Sequence, residues 1–260
     1  MNAFSNSLGK GNQAGVILLH KPVPETAMRK IAFDLGCAET AFVAGNGPDY
    51  SLRWFSPKRE MPLCGHATVA AAKVLMEKTG AGKILFRYEG GTIAAEIDGN
   101  NYISIVLPLD SYKRIKIEPV FNEFFKTVYP IIDGFEGAGT KKLVLVLSGD
   151  ENIRKVGVDF AKMNSYRGTG DRGIGLIKKA KKYDIETRYF NPWAGVNEDS
   201  VTGSVHTVIA KYWYDLYKEK EIVSYQNSQR PGIIKMRIRN KSQLEIRGQA
   251  RIILKGHFYV

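Results

Sequence analysis

The feature that most constrains the fold of this chain is an internal repeat. The segment Arg-Trp-Phe-Ser-Pro at 53–57 leads to the turn Cys64-Gly65-His66, and the segment Arg-Tyr-Phe-Asn-Pro at 188–192 leads to the turn Thr202-Gly203-Ser204. Each copy has the pattern of a strand, a Pro-containing loop, a tight Gly turn and an apolar helix. A repeat whose turns carry unlike polar residues predicts a duplicated fold with one asymmetric site between the halves.

The length of the chain fits two domains of medium size. With 260 residues it can form one large or two medium domains. The polar and charged stretch 108–119 separates a strand-like run from a new helix pattern. We therefore predict an N-terminal half over residues 1–112 and a C-terminal half over residues 113–260, with the site in the cleft between them.

Both halves combine short strand-like runs with one helix that is apolar on nearly every side. These helices are predicted at about residues 66–77 and 204–216, and Gly- or Asn-containing turns separate the runs around them. A helix that is apolar all round is buried. In each half we therefore expect a sheet wrapped around a central helix.

The composition favours a cytoplasmic protein outside the membrane. We find no segment long and apolar enough to span a bilayer, and residues 1–5 lack the basic and apolar regions of a secretory signal. The two cysteines, Cys37 and Cys64, argue against a disulfide scaffold and fit a reducing compartment.

The formal net charge of +12 requires an interpretation. Lys235, Arg237, Arg239 and Lys241 alternate with other residues, which places them on one face of a strand. A groove for nucleic acid also needs aromatic side chains between the cations, and this strand has none between them. We interpret the cations as a solvated face and expect no nucleic acid and no membrane as partner.

The known sequence motifs for metals and cofactors are either missing from this chain or stand in the wrong structural context. The segment 168–173 matches the glycine pattern of dinucleotide-binding folds, but it precedes a strand-like run, so we predict a turn there. The histidines are scattered, and paired C-x-x-C or H-E-x-x-H motifs do not occur. We therefore expect no cofactor and no metal site.

The titratable residues near the Gly turns indicate proton transfer. Helix N-termini at Gly65 and Gly203 would present unpaired amide groups to an anion. Cys64 and His66 lie beside the first turn and Asp199 lies just before the second, while Glu39 begins a strand after a short turn. Without a cofactor motif, general acid–base catalysis is the chemistry that these groups can perform.

Several motifs resemble those of the PhzF-like family, the phenazine-biosynthesis isomerases, which are related to diaminopimelate epimerase. They are 11–15 (Gly-Asn-Gln-Ala-Gly), 39–43 (Glu-Thr-Ala-Phe-Val), 53–68, 198–204 (Glu-Asp-Ser-Val-Thr-Gly-Ser) and the C-terminal pattern from Tyr225-Gln226 to Gly256. The family's usual Pro is replaced by Gln13 and by Ser200 in two turns. The resemblance spans the whole chain.

The resemblance implies an α+β fold of two pseudo-symmetric domains, each a barrel-like, mostly antiparallel sheet around a central helix, as in diaminopimelate epimerase. It also implies that Glu39 is the acid/base and that His66 and Asp199 are its polar partners. We assign the remaining site positions to substrate binding: Asn12, Cys64, Gly65, Thr202, Gly203 and Ser204.

A racemase of the epimerase type uses two opposed thiols. Cys64 keeps one of these positions here, but the repeat places Thr202 at the other, and its hydroxyl is too weak an acid for this role. We therefore predict a cofactor-independent isomerase or epimerase that moves a proton on a small acidic metabolite, with a homodimer expected by resemblance only. The alternatives are a catalytically silent protein that binds a small molecule or nucleic acid, and a Cys-dependent amino-acid racemase.

Overall fold

A computed structural model describes residues 1–47, 49–149, 152–168 and 172–259. The helices are α1 (Glu25–Leu35), α2 (Gly65–Thr79), α3 (Pro119–Phe124), α4 (Phe160–Ser165) and α5 (His206–Tyr217). The strands are β1 (Asn2–Ala3), β2 (Asn12–Leu19), β3 (Glu39–Ala44), β4 (Asp49–Phe55), β5 (Glu60–Met61), β6 (Lys83–Tyr88), β7 (Gly91–Ile97), β8 (Ile103–Pro108), β9 (Tyr112–Arg114), β10 (Phe125–Lys126), β11 (Ile131–Gly137), β12 (Leu143–Leu147), β13 (Gly157–Val158), β14 (Ile174–Lys179), β15 (Ile185–Asn191), β16 (Val196–Asp199), β17 (Glu221–Gln226), β18 (Gly232–Ile238), β19 (Gln243–Gly248) and β20 (Ala250–Arg251).

The chain divides into two compact units. Unit 1 contains Met1–Leu107 and Glu245–Val260, and unit 2 contains Pro108–Leu244. The sequence places the division at residue 112 and assigns the C-terminal residues to the second half. The structure differs because β20 pairs antiparallel with β1, with Asn2 opposite Arg251, so the C-terminal segment belongs to unit 1.

Unit 1 is a mixed sheet around a helix. Parallel pairings join β2 to β3 and β4 to β6, and antiparallel pairings join β3 to β4, β4 to β5, β6 to β7 and β7 to β8. Parallel neighbours need a crossover rather than a tight hairpin. Helices α1 and α2 lie in these crossovers, and α2 contacts β1, β2, β3, β6, β7 and β20.

The burial of α2 confirms the prediction made from its composition. Residues 65–72 are all buried, as are Leu75 and Met76 one turn later. The helix ends at Gly80, which has a φ of +73° and donates its amide hydrogen to the Met76 carbonyl. Glycine adopts this left-handed conformation without a steric penalty. The apolar sequence of α2 therefore explains why this helix is buried inside the sheet of unit 1.

Helix α1 covers the outer side of the same sheet. Met28, Ile31 and Ala32 pack against Phe42 and Phe55. The two phenylalanine rings meet edge to face with centroids 5.5 Å apart, an arrangement that adds to the gain from burial. This packing fixes the start of β3, where Glu39 lies.

Unit 2 repeats the order of pairings found in unit 1. Strand β12 pairs in parallel with β14, which pairs antiparallel with β15. Strand β15 pairs antiparallel with β16 and in parallel with β17, which pairs antiparallel with β18. Helices α4 and α5 lie in the two parallel crossovers. The fold class, an α+β protein dominated by strands, agrees with the prediction.

An arginine pairs with a glutamate at the same place in each copy of the repeat. Arg53 makes two hydrogen bonds of 2.6 Å to Glu60, and Arg188 makes two hydrogen bonds of 2.7 and 3.0 Å to Glu198. Each guanidinium also lies over the phenylalanine two residues later. Arg188 is the more buried arginine and donates further to the carbonyls of residues 153 and 156.

Other predictions meet the structure with smaller differences. Strand β18 alternates as expected up to its end at Ile238, with Met236 and Ile238 buried and Arg237 exposed. The prediction is wrong for Arg239 and Lys241, which follow the strand in the turn before β19. A helix follows the polar stretch 108–119 as predicted. This helix, α3, begins at Pro119 and ends at Phe124, because the next residues form β10 and pair with β13. Residues 169–171 of the predicted turn lie outside the described residues. In the part of the chain that the structure describes, no helix is long and apolar enough to cross a membrane.

Candidate active site

Glu39 stands at the first position of β3. Helix α1 ends at Gly36, whose φ of +60° turns the chain toward the sheet. Strand β3 then pairs in parallel with β2, so that Glu39 lies opposite Ala14. The side chain is only 19% exposed, which is low for a glutamate and indicates a specific partner.

His66 is that partner, and it lies in the first turn of α2. Its ring nitrogen Nε2 is 3.1 Å from Oε2 of Glu39, and its side chain is 7% exposed. The chain enters the helix through Cys64, whose backbone is extended and whose carbonyl accepts hydrogen bonds from the amide and hydroxyl of Thr68. The entry to the helix therefore holds the imidazole in place.

The other ring nitrogen of His66 faces Asn12. The Asn12 amide nitrogen lies 3.4 Å from Nδ1. A neutral imidazole accepts this bond at Nδ1 and donates its Nε2 proton to Glu39. In the charged form Nδ1 also carries a proton, and the Asn12 amide, turned over, presents its oxygen. Asn12 can therefore support either protonation state.

Gly11 explains how Asn12 reaches this position. It has a φ of +74°, and a Cβ at this residue would collide with the carbonyl oxygen of Ala3. Only glycine tolerates both conditions. The glycine of the Gly-Asn turn is thus required for the close approach of β1 and β2, and the substrate-binding candidate Asn12 is buried beside His66.

The thiol of Cys64 lies against the same imidazole. Its Sγ is 3.5 Å from Nδ1 and 3.9 Å from Nε2 of His66. Burial raises the pKa of the Cys64 thiol, and this effect outweighs the nearby imidazole. The thiol is therefore protonated at neutral pH, which argues against a role for Cys64 as a ready acid/base partner.

The charge of His66 is decided by opposing effects. Burial opposes the imidazolium, but the effects of the adjoining Cys64 and Glu39 side chains outweigh it, and the pKa of His66 lies well above its usual value. Because the Cys64 thiol holds its proton at neutral pH, we attribute the raised pKa mainly to the Glu39 carboxylate. The Nε2–Oε2 distance of 3.1 Å allows the two side chains to share one proton.

These three side chains are also a set that could hold a metal ion. One ligand atom from each of Glu39, Cys64 and His66 lies within 4.8 Å of the others. The sequence gives no sign of this, because the spacing of the three residues matches no linear metal motif. The Cys64-x-His66 pair could have been noted as a partial motif.

The second group of predicted residues forms a separate hydrogen-bonded turn in unit 2. The hydroxyl of Thr202 donates to Oδ2 of Asp199 at 2.5 Å. Ser204 contributes its carbonyl as acceptor for the Thr207 hydroxyl. Helix α5 begins at His206, and Gly203 lies in the turn before it. The prediction that Gly203 stands at a helix N-terminus is therefore wrong, whereas Gly65 is the first residue of α2.

Gln226, the last residue of β17, supports this turn with its side chain. The sequence predicts no site role for it. Its side-chain oxygen accepts from the Thr202 amide at 2.8 Å, and its side-chain nitrogen donates to the Asp199 carbonyl at 2.8 Å. Gln226 is fully buried and shares the inward face of β17 with Ile222 and Ser224. The two-residue period counted from the apolar Ile222 is the signal that could have placed Gln226 on the buried face.

His206 ties the same turn to β17. Its Nδ1 lies 2.6 Å from the Thr202 carbonyl, and its Nε2 lies 2.8 Å from the Ser224 hydroxyl. Burial lowers the pKa of His206 to about 4, against a smaller opposing effect of the bond to Thr202. The ring is therefore neutral, donates from Nδ1 and accepts at Nε2, and its role is structural.

Comparisons with a family model and with known protein sequences agree on one family. A family model described as phenazine biosynthesis-like protein matches residues 1–256. A phenazine biosynthesis-like domain-containing protein of Bos taurus is 33% identical over 280 residues, covering 98% of this chain and 96% of the relative. A protein of Halalkalibacterium halodurans named an uncharacterized isomerase is 30% identical over 267 residues, with the same coverage.

Comparison with solved structures agrees. A phenazine biosynthesis protein of the PhzF family from Enterococcus faecalis has a TM-score of 0.91 and 31% identity, covering 100% of this chain and 97% of that one. A predicted epimerase from Pseudomonas aeruginosa has a TM-score of 0.72 and 17% identity, with the same coverage, and shows likeness in fold alone. Together with the named relatives, these findings support isomerase activity for this chain, as its sequence predicts.

Proposed function

The chain belongs to the phenazine biosynthesis-like family, and on that premise we propose that it moves a proton on a small metabolite that bears a carboxylate. The proposed reaction is an isomerisation or epimerisation that uses no cofactor and one carboxylate as general acid/base. Glu39 is that carboxylate. The single observation that carries the proposal is the pair formed by Glu39 and His66, 3.1 Å apart and largely buried.

The pair has the properties that a proton carrier needs. Glu39 retains some exposure, at 19%, while His66 is held behind it by α2 and by Asn12. In the proposed mechanism the Glu39 carboxylate takes a proton from a carbon next to an acidifying group and returns it at another position on the same face of the substrate. His66 donates to the carboxylate and orients it, and general acid–base catalysis of this kind contributes about 10²–10⁴-fold to a rate.

Binding of the substrate carboxylate is assigned to the start of α2. The first amide groups of a helix have no acceptor within the helix, and the helix dipole favours an anion there. Gly65 is the first residue of α2, so its amide and those beside it would receive an acid group or a developing enolate. This part of the proposal keeps Gly65 and Cys64 as substrate-binding positions.

Asp199 remains in the proposed catalytic set as a group that orients substrate or proton. The Thr202 hydroxyl donates to the Asp199 carboxylate, the Thr202 amide donates to Gln226, and Gln226 donates to the Asp199 carbonyl, and these bonds hold the turn in place. Gly203 does not begin a helix, so a helix dipole cannot bind the substrate at this position. We propose that the backbone amides of its turn, including that of Ser204, contact the substrate directly. The same order of strand pairings in both units supports a duplicated, pseudo-symmetric origin.

The proposal is tested by hydrogen exchange with solvent. A panel of small amino, hydroxy and unsaturated carboxylic acids is incubated with the protein in deuterated water, and loss of carbon-bound proton signals is followed by NMR. We expect exchange on at least one acid and a loss of about 10²–10⁴-fold in Glu39→Gln. Glu96→Gln, which changes an exposed glutamate of β7, is the matched control and should keep full activity.

Exchange that persists in Glu39→Gln would show that another group is the base. The thiol racemase is then tested with Cys64→Ala. The raised pKa of the Cys64 thiol and the engagement of the Thr202 hydroxyl with Asp199 disfavour a two-thiol mechanism. Because Cys64 is a proposed substrate-binding position, we expect this variant to raise KM and to leave kcat largely unchanged. The cytoplasmic location and the homodimer stay predictions.

A further inference from the structure

The donor atoms of Glu39, Cys64 and His66 form a set that matches one class of metal ion. All three lie within 4.8 Å of one another, and Cys64 and His66 are buried. Thiolate sulfur, imidazole nitrogen and carboxylate oxygen are the ligands that Zn²⁺ uses in proteins. Mg²⁺ and Ca²⁺ prefer sites built from oxygen atoms alone, so this set does not suit them.

The distances between the donors are close to the edges of a zinc tetrahedron. Zn–S bonds of about 2.3 Å and Zn–N and Zn–O bonds of about 2.1 Å, at tetrahedral angles, give an S···N edge of about 3.6 Å and an N···O edge of about 3.4 Å. The observed Sγ–Nε2 and Nε2–Oε2 distances are 3.9 and 3.1 Å. Sγ also lies 3.5 Å from Nδ1, nearer than to Nε2, so the sulfur stands beside the ring. The Cys64 side chain therefore has to rotate toward the Nε2 side to complete the coordination.

The surroundings of the three ligands also fit a metal site. With Nε2 as the ligand atom, Nδ1 still faces Asn12, and metal-bound histidines usually hold their second nitrogen in such a hydrogen bond. Cys64 is fixed through its carbonyl by Thr68 at the start of α2. Glu39 and His66 thus need little rearrangement, which lowers the cost of binding, whereas the Cys64 side chain has to rotate.

We propose that Glu39, Cys64 and His66 bind one Zn²⁺ ion, with a fourth position open, and that the bound ion inhibits the enzyme. On binding, the Cys64 thiol and Nε2 of the His66 imidazolium each give a proton to solvent and bond to the metal. The Glu39 carboxylate exchanges its hydrogen bond with Nε2 for a bond to the metal, and Nδ1 keeps its proton and donates it to the Asn12 amide oxygen after that amide turns over. The inhibition rests on the proposed function, because the ion occupies the groups that would carry the proton. The binding itself does not depend on that function.

The test uses Co²⁺ as a spectroscopic probe and Zn²⁺ as competitor, on the full-length protein. We expect one equivalent of Co²⁺ to give the intense visible bands of tetrahedral coordination and a thiolate-to-cobalt charge-transfer band, both removed by Zn²⁺. Cys64→Ser should abolish the charge-transfer band. The same variant should also bind Zn²⁺ more weakly. We expect a larger loss than the loss of about 10–100-fold that follows removal of an outer-shell partner.

Cys37→Ser is the matched control, since Cys37 is the other free cysteine and lies outside the proposed ligand set. It should leave the spectrum and the affinity unchanged. A wild-type protein without the charge-transfer band, or a Cys64→Ser variant that binds Zn²⁺ as well as wild type, would overturn the proposal. Because the wild-type spectrum reports the thiolate directly, this result does not depend on whether the variant folds.

The two proposals fail in different ways. If wild-type protein exchanges protons on the acid panel but does not bind Zn²⁺ through Cys64, only the metal site is wrong. If Zn²⁺ binds as expected and the protein exchanges protons on none of the acids, the metal site stands and the proposed reaction falls. If Zn²⁺ binds at the site while exchange continues at full rate, the inhibition is refuted.

Discussion

Replacing Glu39 by glutamine removes one charge from a buried pair with almost no change in shape. The carboxylate lies 3.1 Å from Nε2 of His66. A hydrogen bond to a charged group contributes about 1.5–3 kcal/mol to stability, and a neutral one contributes about 0.5–1.5 kcal/mol. Since the new amide can still accept from Nε2, we expect Glu39→Gln to lower the free energy of unfolding by about 1–2 kcal/mol where His66 is charged.

The pH dependence of this loss follows from the raised pKa of His66. A histidine whose pKa is higher in the folded state contributes stability that is fully present below its unfolded pKa, about 6.5, and is lost as the pH rises through the folded pKa. The effect of Glu39→Gln should therefore be largest at about pH 5.5 and should shrink at high pH.

Urea unfolding of both proteins at about pH 5.5 and at high pH measures this difference. Nitrogen NMR of the His66 ring reports in parallel whether its pKa falls in the variant. Glu96→Gln is again the control, because the exposed pair of Glu96 with Lys83 is worth only about 0–1 kcal/mol. Equal destabilisation by Glu39→Gln at both pH values, with an unchanged His66 titration, would refute the coupling of the two residues.

Two further substitutions test the remaining structural claims. Gln226→Leu keeps the volume but leaves the Thr202 amide and the Asp199 carbonyl without their partner, so we expect a loss of about 2–4 kcal/mol together with weaker exchange activity; unchanged unfolding in urea would contradict this. Arg188→Leu breaks a largely buried ion pair and should cost about 3–5 kcal/mol, whereas Arg53→Leu, at the more exposed copy, should cost about 0–1 kcal/mol. Equal losses in thermal or urea unfolding would show that burial does not separate them.

Local patterns were sufficient for the parts of the fold that depend on neighbouring residues. The apolar composition of 66–77 predicts a buried helix, and the structure buries nearly all of α2. The glycine after α1 predicts its end, and Gly36 has the left-handed conformation that ends a helix. The family resemblance predicts that Glu39 and His66 belong to one site, and the structure brings the two side chains together.

The features that depend on contacts between distant parts of the chain could not be predicted from the sequence. The return of the C-terminal segment to unit 1 rests on the pairing of Asn2 with Arg251, and no local pattern records which strands are neighbours. The role of Gln226 requires knowing that the end of β17 lies beside the Asp199 turn. The start of α5 at His206 rather than near Gly203 depends on the hydrogen bonds of Thr202 to Gln226 and His206.

The central claim is that one carboxylate both removes and returns the proton. The most direct measurement uses an acid found active in the exchange assay, prepared with deuterium at the reacting carbon and converted in ordinary water under single-turnover conditions. The account predicts that part of the deuterium appears in the product at its new position, and that Glu39→Gln abolishes this transfer. A product that carries only solvent hydrogen from the earliest time point, as two opposed bases would give, would contradict it.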